Sequence, residues 1–210
     1  MAGASAPRTV AVFDFDGTLT RGDTLLPFLR RVRGDVTLAA ALLAGCARFA
    51  LAPAGERRNR AKEVVLSRVL GGEPVERVTL LADAYAVELV ARRLVGRTCR
   101  RLEWHRRLGH ALVIVSASPE LYVDPIARRL GFDAVLATRL EVDGDGRLTG
   151  RLSGANVRAD EKVRRLRAHL GATQVRLWAY GNSRDDAELL AAADEPVLVT
   201  RRGMVRQLKR

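Results

Sequence analysis

Thr9-Val10-Ala11-Val12-Phe13 is a run of five apolar or β-branched residues that stops at two acids, Asp14 and Asp16. It is too short for a helix and shows no polar alternation, so it reads as a strand buried on both faces. Such strands occur where helices cover both sides of a parallel sheet. The next run of the same kind, Ala111–Val115, comes about a hundred residues later. Between Thr24 and about Val95 nothing reads as a strand. A Leu25/Leu26/Leu29 face comes first, then an apolar stretch from Val36 to Ala52. Helices near 56–70 and 75–95 follow, separated by Gly71-Gly72-Glu73-Pro74.

After Gly96 the pattern changes. A basic helix over 97–108 leads to the strand at Ala111–Val115, which ends at Ser116. A helix starts at Pro119 and stops at Gly131, and a short strand lies near 133–137. Residues 139–150 read as a hairpin around Asp143-Gly144-Asp145-Gly146. A helix from Asp160 to Leu170, a strand from Val175 to Tyr180, a helix over 185–193 and a strand at Val197–Val199 complete the chain. The alternation predicts an α/β fold with a Rossmann-like, doubly wound parallel sheet. The core is expected over 1–23 and 96–210, with a helical insert over 24–95. A length of 210 residues suits one such core and a small subdomain.

The formal net charge is +12, carried almost wholly by arginine; the only lysines are Lys62, Lys162 and Lys209. Basic residues exceed acidic ones by 12 to 7 over 24–95 and by 24 to 17 elsewhere, so no stripe forms and a nucleic-acid partner is not expected. Two cysteines, Cys46 and Cys99, exclude a disulfide framework and fit a reducing, cytoplasmic setting. The first ten residues carry no apolar run, so no signal peptide is expected. The 17 residues from Val36 to Ala52 include Arg48 and sit at the low edge of a bilayer span. They predict a buried helix, with an interfacial, membrane-contacting helix as the alternative.

Ligands of doubly wound sheets bind at the carboxyl ends of the strands. Three predicted strands end in polar residues there: Asp14 and Asp16, Ser116, and Asn182 with Asp185 and Asp186. Two carboxylates two residues apart supply a nucleophile and a general acid/base. Both also approach a divalent cation, one by its side chain and one by its backbone carbonyl. The later ligand positions of a calcium loop do not follow. His105, His110 and His169 fall outside these strand ends and read as surface or helix residues, so a zinc site is not expected.

Asp14-Phe15-Asp16-Gly17-Thr18, Ser116 after Leu112–Val115, Lys162 in Asp160-Glu161-Lys162-Val163, and Gly181-Asn182-Ser183-Arg184-Asp185-Asp186 stand in a fixed order. With that order the chain resembles the haloacid dehalogenase superfamily hydrolases, of the phosphoserine-phosphatase-like subfamily IB, over almost its whole length. The resemblance implies a helical C1-type cap at 24–95 and a phosphatase working through a phosphoaspartate. It makes Asp14 the nucleophile and Asp16 the acid that protonates the leaving oxygen and then activates water. Ser116 would bond a phosphoryl oxygen, and Lys162 would hold the phosphoryl charge against Asp14. Gly17, Thr18 and Ala117 would meet the substrate. The implied cofactor is Mg2+, on Asp14, Asp16, Asn182 and Asp186, the last directly or through water. Phosphoserine phosphatases usually carry an aspartate where Asn182 stands, so a weaker metal site is expected.

The implied partner is a small phosphate ester. Asp23 stands where phosphoserine phosphatases place a glutamate that meets the substrate's amino group, yet it also reads as the N-cap of the first insert helix. Arg57, Arg58 and Arg60 are all candidates for a substrate carboxylate. Phosphatidylglycerophosphate phosphatases of the same superfamily carry an apolar cap and an ending like Val199-Thr200-Arg201-Arg202-Gly203, so a lipid phosphate and membrane contact stay open. A non-catalytic module that binds phosphates or nucleic acid through its arginines and a phosphotransferase are the remaining alternatives.

Overall fold

The computed structural model describes residues 8–206. The ends of the expected core, 1–7 and 207–210, lie outside the described residues, and so does most of the stretch read for a signal peptide. Strand β1 (Arg8–Phe13) is followed by helices α1 (Leu25–Leu51), α2 (Arg57–Leu70), α3 (Val75–Arg92) and α4 (Gly96–Arg107). Then come β2 (Ala111–Pro119), α5 (Glu120–Leu130), β3 (Ala134–Thr138), β4 (Leu140–Val142) and β5 (Leu148–Leu152). The chain continues through α6 (Asp160–Leu170), β6 (Val175–Gly181), a 3-10 turn at Arg184–Asp186, α7 (Ala187–Ala192), β7 (Glu195–Val199) and β8 (Met204–Arg206).

Six strands form one sheet in the order β3-β2-β1-β6-β7-β8, parallel except for β8. The chain first winds outward from β1 through β2 to β3, then returns to the other side of β1 with β6. The crevice at the carboxyl ends of β1 and β6 is therefore the switch point where open α/β sheets take ligands. The side chains of β1 show why the sheet is covered twice. Ala11 and Phe13 enter one apolar core with α1–α3 and α5, while Val10 and Val12 enter the other with α6 and α7.

Three expectations are corrected. Strand β2 does not stop at Val115. It pairs with β3 through Ser116 and resumes at Pro119, with an irregularity across Ala117 and Ser118. A bulge of this kind re-aims side chains at a strand end. Pro119 precedes α5 rather than opening it, and Gly131 closes that helix at φ +68°. The stretch 36–52 is not a buried helix. Gly34, at φ +75°, breaks α1, and beyond it only Leu38, Ala41, Gly45 and Ala52 are buried. The cause is the narrowness of the contact with α2. A Cβ on Gly45 would lie 2.8 Å from Val65 Cγ2, so the two helices meet along small residues. The opposite face stays in solvent, with Val36 86%, Leu43 74% and Leu51 79% exposed.

The hairpin β4–β5 stays out of the main sheet and braces the helical insert. Val75 N–H donates to Gly146 O at 3.0 Å, and Gly72 N–H to Leu148 O at 2.8 Å. Gly150, at φ +77°, lets the hairpin lie on α2, because a Cβ there would come within 2.3 Å of Ser67 Cα. Cys46 and Cys99 are both free.

Candidate active site

Asp14 follows β1 directly, and its N–H donates to Tyr180 O of β6 at 2.8 Å. The residue is 6% exposed. Lys162, in the first turn of α6, donates to Asp14 Oδ1 at 2.6 Å and to Asp186 Oδ1 at 2.5 Å. The residue before α6, Ala159, sits at φ +49°, a strained backbone for alanine that persists where the surroundings fix it. Burial alone would lower the pKa of Lys162, but the two carboxylates overcome it and hold that pKa above the ordinary lysine range. Asp14 is pushed above the usual carboxylate range by burial, with Lys162 opposing and Asp186 adding to the rise.

Asp186 is fully buried and does not line the cleft. Its Oδ2 accepts Asn182 N–H and Ser183 N–H, both at 3.0 Å, and Ser183 Oγ–H at 2.9 Å. With Oδ1 on Lys162, both oxygens are committed. Asp186 thus positions Lys162 and the loop after β6.

Asp16 lies two residues beyond Asp14. Its Oδ1 accepts Thr24 N–H at 2.8 Å and Thr24 Oγ–H at 2.6 Å; its Oδ2 accepts Ser118 Oγ–H at 2.5 Å. Burial raises its pKa to about 6, against the pull of Ser118 and Thr24 toward the ionised form. A carboxyl whose pKa is raised toward neutrality is suited to acid and base work alike. Thr24 is itself fixed by Tyr122, at 3.1 Å, and by Tyr85 Oη–H on its carbonyl at 2.9 Å.

The cleft around these groups holds about 460 Å³. Asp14, Asp16, Gly17, Ser116, Ala117, Lys162 and Asn182 all line it, and so does Asp23. Ser116 Oγ accepts Ser118 N–H at 3.0 Å, which leaves its own proton free to donate. Asp23 also accepts Leu26 N–H in the first turn of α1 at 3.1 Å while standing at the cleft, although the N-cap residue itself is Thr24. Thr18 is not brought to the cleft. It is fully buried, and its N–H is spent on Phe15 O within the turn, at 3.3 Å. Gly17 is required twice over: φ is +79°, and a Cβ would strike Asn182 Nδ2 at 2.0 Å.

Four lining residues were not among the candidates the sequence supplied. Lys62 reaches in from α2 and donates to Ala117 O at 2.5 Å and Asn156 Oδ1 at 2.7 Å. Burial lowers its pKa to about 8. Asn156 holds that contact, and Ser118 holds Asp16. Arg158 pairs with Asp185 at 2.6 Å, and Arg58 of α2 meets the same carboxylate at 3.4 Å, so insert and core join at the cleft. Arg158 overcomes the burial of Asp185 and keeps its carboxyl below the usual range. Of the three candidate arginines on α2 only Arg58 lines the cleft. Arg57 donates to Ala52 O at 3.1 Å, and Arg60 pairs with Glu56 at 2.9 Å. The scarcity of lysine that singled out Lys162 applied equally to Lys62.

No cluster of three or more His, Cys, Asp or Glu side chains occurs among the described residues. The cleft is instead lined by Asp14, Asp16 and Asn182, and the Asn182 side-chain amide makes no hydrogen bond among the described residues. An all-oxygen set of this size fits a hard divalent cation that keeps several waters. His105 lies on α4 but in the core, not at the surface. It bonds Tyr180 Oη at 2.8 Å, and burial holds its pKa down at about 3.

A family model described as haloacid dehalogenase-like hydrolase matches residues 11–191. Protein CicA of Caulobacter vibrioides is 37% identical over 192 residues, covering 89% of this chain and 83% of that protein. A probable phosphatase of Mycobacterium tuberculosis is 28% identical over 207 residues, covering 94% and 71%. A crystal structure of phosphoserine phosphatase in apo form aligns with TM-score 0.62 and 20% identity over 90% of this chain and 84% of that one, a likeness of fold. The family match runs from within β1 to within α7 and takes in every strand end that builds the cleft. The chain therefore belongs to the haloacid dehalogenase-like hydrolases, as an enzyme of the phosphatase kind.

Proposed function

We propose that the chain is a Mg2+-dependent phosphomonoesterase of subfamily IB type that hydrolyses a small organic phosphate through a phosphoaspartate on Asp14. Residues 24–95 act as its cap, over a core formed by the rest. The observation that carries this reading is the contrast between two carboxylates in one cleft. Asp14 is clamped on one oxygen by Lys162, while Asp16 sits apart with a pKa of about 6.

The lysine clamp leaves Asp14 Oδ2 to attack phosphorus. As the P–O bond to the alcohol breaks, Asp16 gives its proton to the leaving oxygen. Water then attacks the phosphoaspartate, Asp16 takes the proton back, and phosphate leaves with Asp14 restored. Asp16 can do this only when it lets go of Ser118 or Thr24. Ser116 Oγ–H and Lys162 hold the phosphoryl oxygens. Asp14, the Asp16 carbonyl and Asn182 would hold Mg2+, with Asp186 anchoring the loop that carries Asn182. The ion would neutralise phosphoryl charge.

Release of phosphate from a panel of phosphomonoesters, with Mg2+ and with chelator, tests the reading. Turnover that needs both Mg2+ and Asp14 is expected. Equal release by Asp14→Asn would overturn it.

A second reading has one observation in its favour. The exposed apolar face of α1, centred on Leu43, fits contact with a membrane surface and hence a lipid phosphate as substrate. We place the enzyme in the cytoplasm, at the membrane under this second reading. Nucleic acid is not proposed as a partner. Sedimentation with phosphatidylglycerol vesicles, lost in Leu43→Gln, would support the lipid reading; no sedimentation of the wild type would remove it.

A further inference from the structure

A larger concavity, of about 1140 Å³, opens beside the catalytic cleft. Gly17, Gly22 and Asn182 line both, so the two meet along the turn after β1. Its walls carry five arginines, Arg21, Arg97, Arg100, Arg201 and Arg202, and no acidic residue. Some guanidinium groups elsewhere on this surface pair with neighbouring acids, as Arg139 does with Glu120 at 2.7 Å, and others do not. None of the five makes an ion pair among the described residues.

The concavity is also organised for an anion. Arg97 donates to the carbonyls of Thr200 and Arg201, the latter at 3.2 Å, and so fixes the turn that presents Arg201 and Arg202. Its Nε is buried and has no acceptor among the described residues. Helix α4 begins in the wall at Gly96, with no acid in its first turn and no side-chain cap. Its free amides add positive potential to that of the arginines. Five guanidinium groups gathered without counter-charge repel one another. A phosphate, which matches the guanidinium fork, relieves that repulsion.

We propose that this pocket takes a second phosphate on the substrate: the preferred ester carries two phosphates, with the scissile one at Asp14 and the other among the arginines. The inference rests on the phosphatase reading above. Only the phosphate at Asp14 is hydrolysed; the other is held. The chemistry is the same whether that second phosphate belongs to a soluble bisphosphate or to a lipid headgroup.

The test compares kcat/KM for propane-1,3-diol bisphosphate and propyl phosphate, with Mg2+. The wild type should prefer the bisphosphate by about tenfold or more, the worth of one or two charge-assisted hydrogen bonds. In Arg201→Gln/Arg202→Gln the ratio should fall toward one. In Arg107→Gln, a charge loss at an exposed site on α4 outside the pocket, the ratio should hold. The preference should also shrink at high salt. A dihexanoyl lipid with the same two phosphates separates the sources: faster turnover of the lipid assigns a headgroup, and equal or slower turnover a soluble ester. Turnover of propyl phosphate with a ratio near one in the wild type would overturn this inference and leave the phosphatase intact. Release from neither ester would count against the phosphatase reading instead. Calorimetric titration of the bisphosphate into Asp14→Asn with chelator then decides the pocket: binding weakened by the double arginine change supports it, and no binding overturns it.

Discussion

Lys162 sits between Asp14 and Asp186 with almost no access to water, so each charge depends on the others. Removing one member of a buried ion pair typically costs about 3–5 kcal/mol, because the partner is left uncompensated. Asp186→Asn leaves Lys162 paired with Asp14 alone, so it is expected to lower unfolding free energy by less than that, about 1–3 kcal/mol, and to cut turnover, read by urea titration and by phosphate release. A stability within about 0.5 kcal/mol of wild type would remove the clamp from the account. At Asp16 the sign follows from its bonds. Ser118 donates to the ionised carboxylate and so lowers the pKa from where burial would set it. The acid form is needed for leaving-group protonation, so kcat/KM should fall as pH rises through about 6. Ser118→Ala should move that limb to higher pH; a limb that stays or moves down would contradict the assignment. Asp14, Asp16, Ser116 and Asn182 were legible as strand ends, and Lys162 as a rare residue in a fixed order. Lys62 and Arg158 were not, since nothing local to either says which cleft its side chain reaches. Asp186 shows the converse, a motif position whose carboxylate oxygens the fold spends internally.

At the scale of elements, the two faces of β1 already announced a sheet covered on both sides, because Val10, Ala11, Val12 and Phe13 leave no polar face for water. The two apolar segments of α1 were read one after the other, but the break between them at Gly34 was not singled out. The fate of the second segment was not legible either. Apolar composition says that a helix can be buried, and only the packing partner decides whether it is. Here Gly45 brings α1 close to α2 along a thin seam and leaves the far face bare. Gly45→Val should force the helices apart and destabilise the protein by about 1–3 kcal/mol, as overpacking does. Leu43→Gln, on the bare face, should stay within about 0.5 kcal/mol. Urea unfolding of both variants checks the pair, and a costly Leu43→Gln would mean that the face is covered in solution.

For the whole molecule, the alternation of elements foretold the doubly wound sheet and the helices inserted after β1. It did not foretell how firmly insert and core are joined. Helix α3 shares the apolar core with α5, the β4–β5 hairpin lies on α2, and Lys62 and Arg58 reach from the insert to the cleft. Calorimetry should therefore show one cooperative transition; two separated transitions would show an insert that folds as its own unit. Charge behaves in the same way. Counted along the sequence it forms no stripe, yet the fold gathers Arg21, Arg97, Arg100, Arg201 and Arg202 from three distant segments into one pocket. All of this acquires function only if Asp14 is the nucleophile. Mass spectrometry of the quenched wild-type enzyme during turnover with Mg2+ tests that most directly. The account predicts a phosphoryl group on the peptide containing Asp14, absent with chelator and absent in Asp14→Asn. Steady turnover with no phosphoryl group on that peptide, or undiminished turnover by Asp14→Asn, would contradict it.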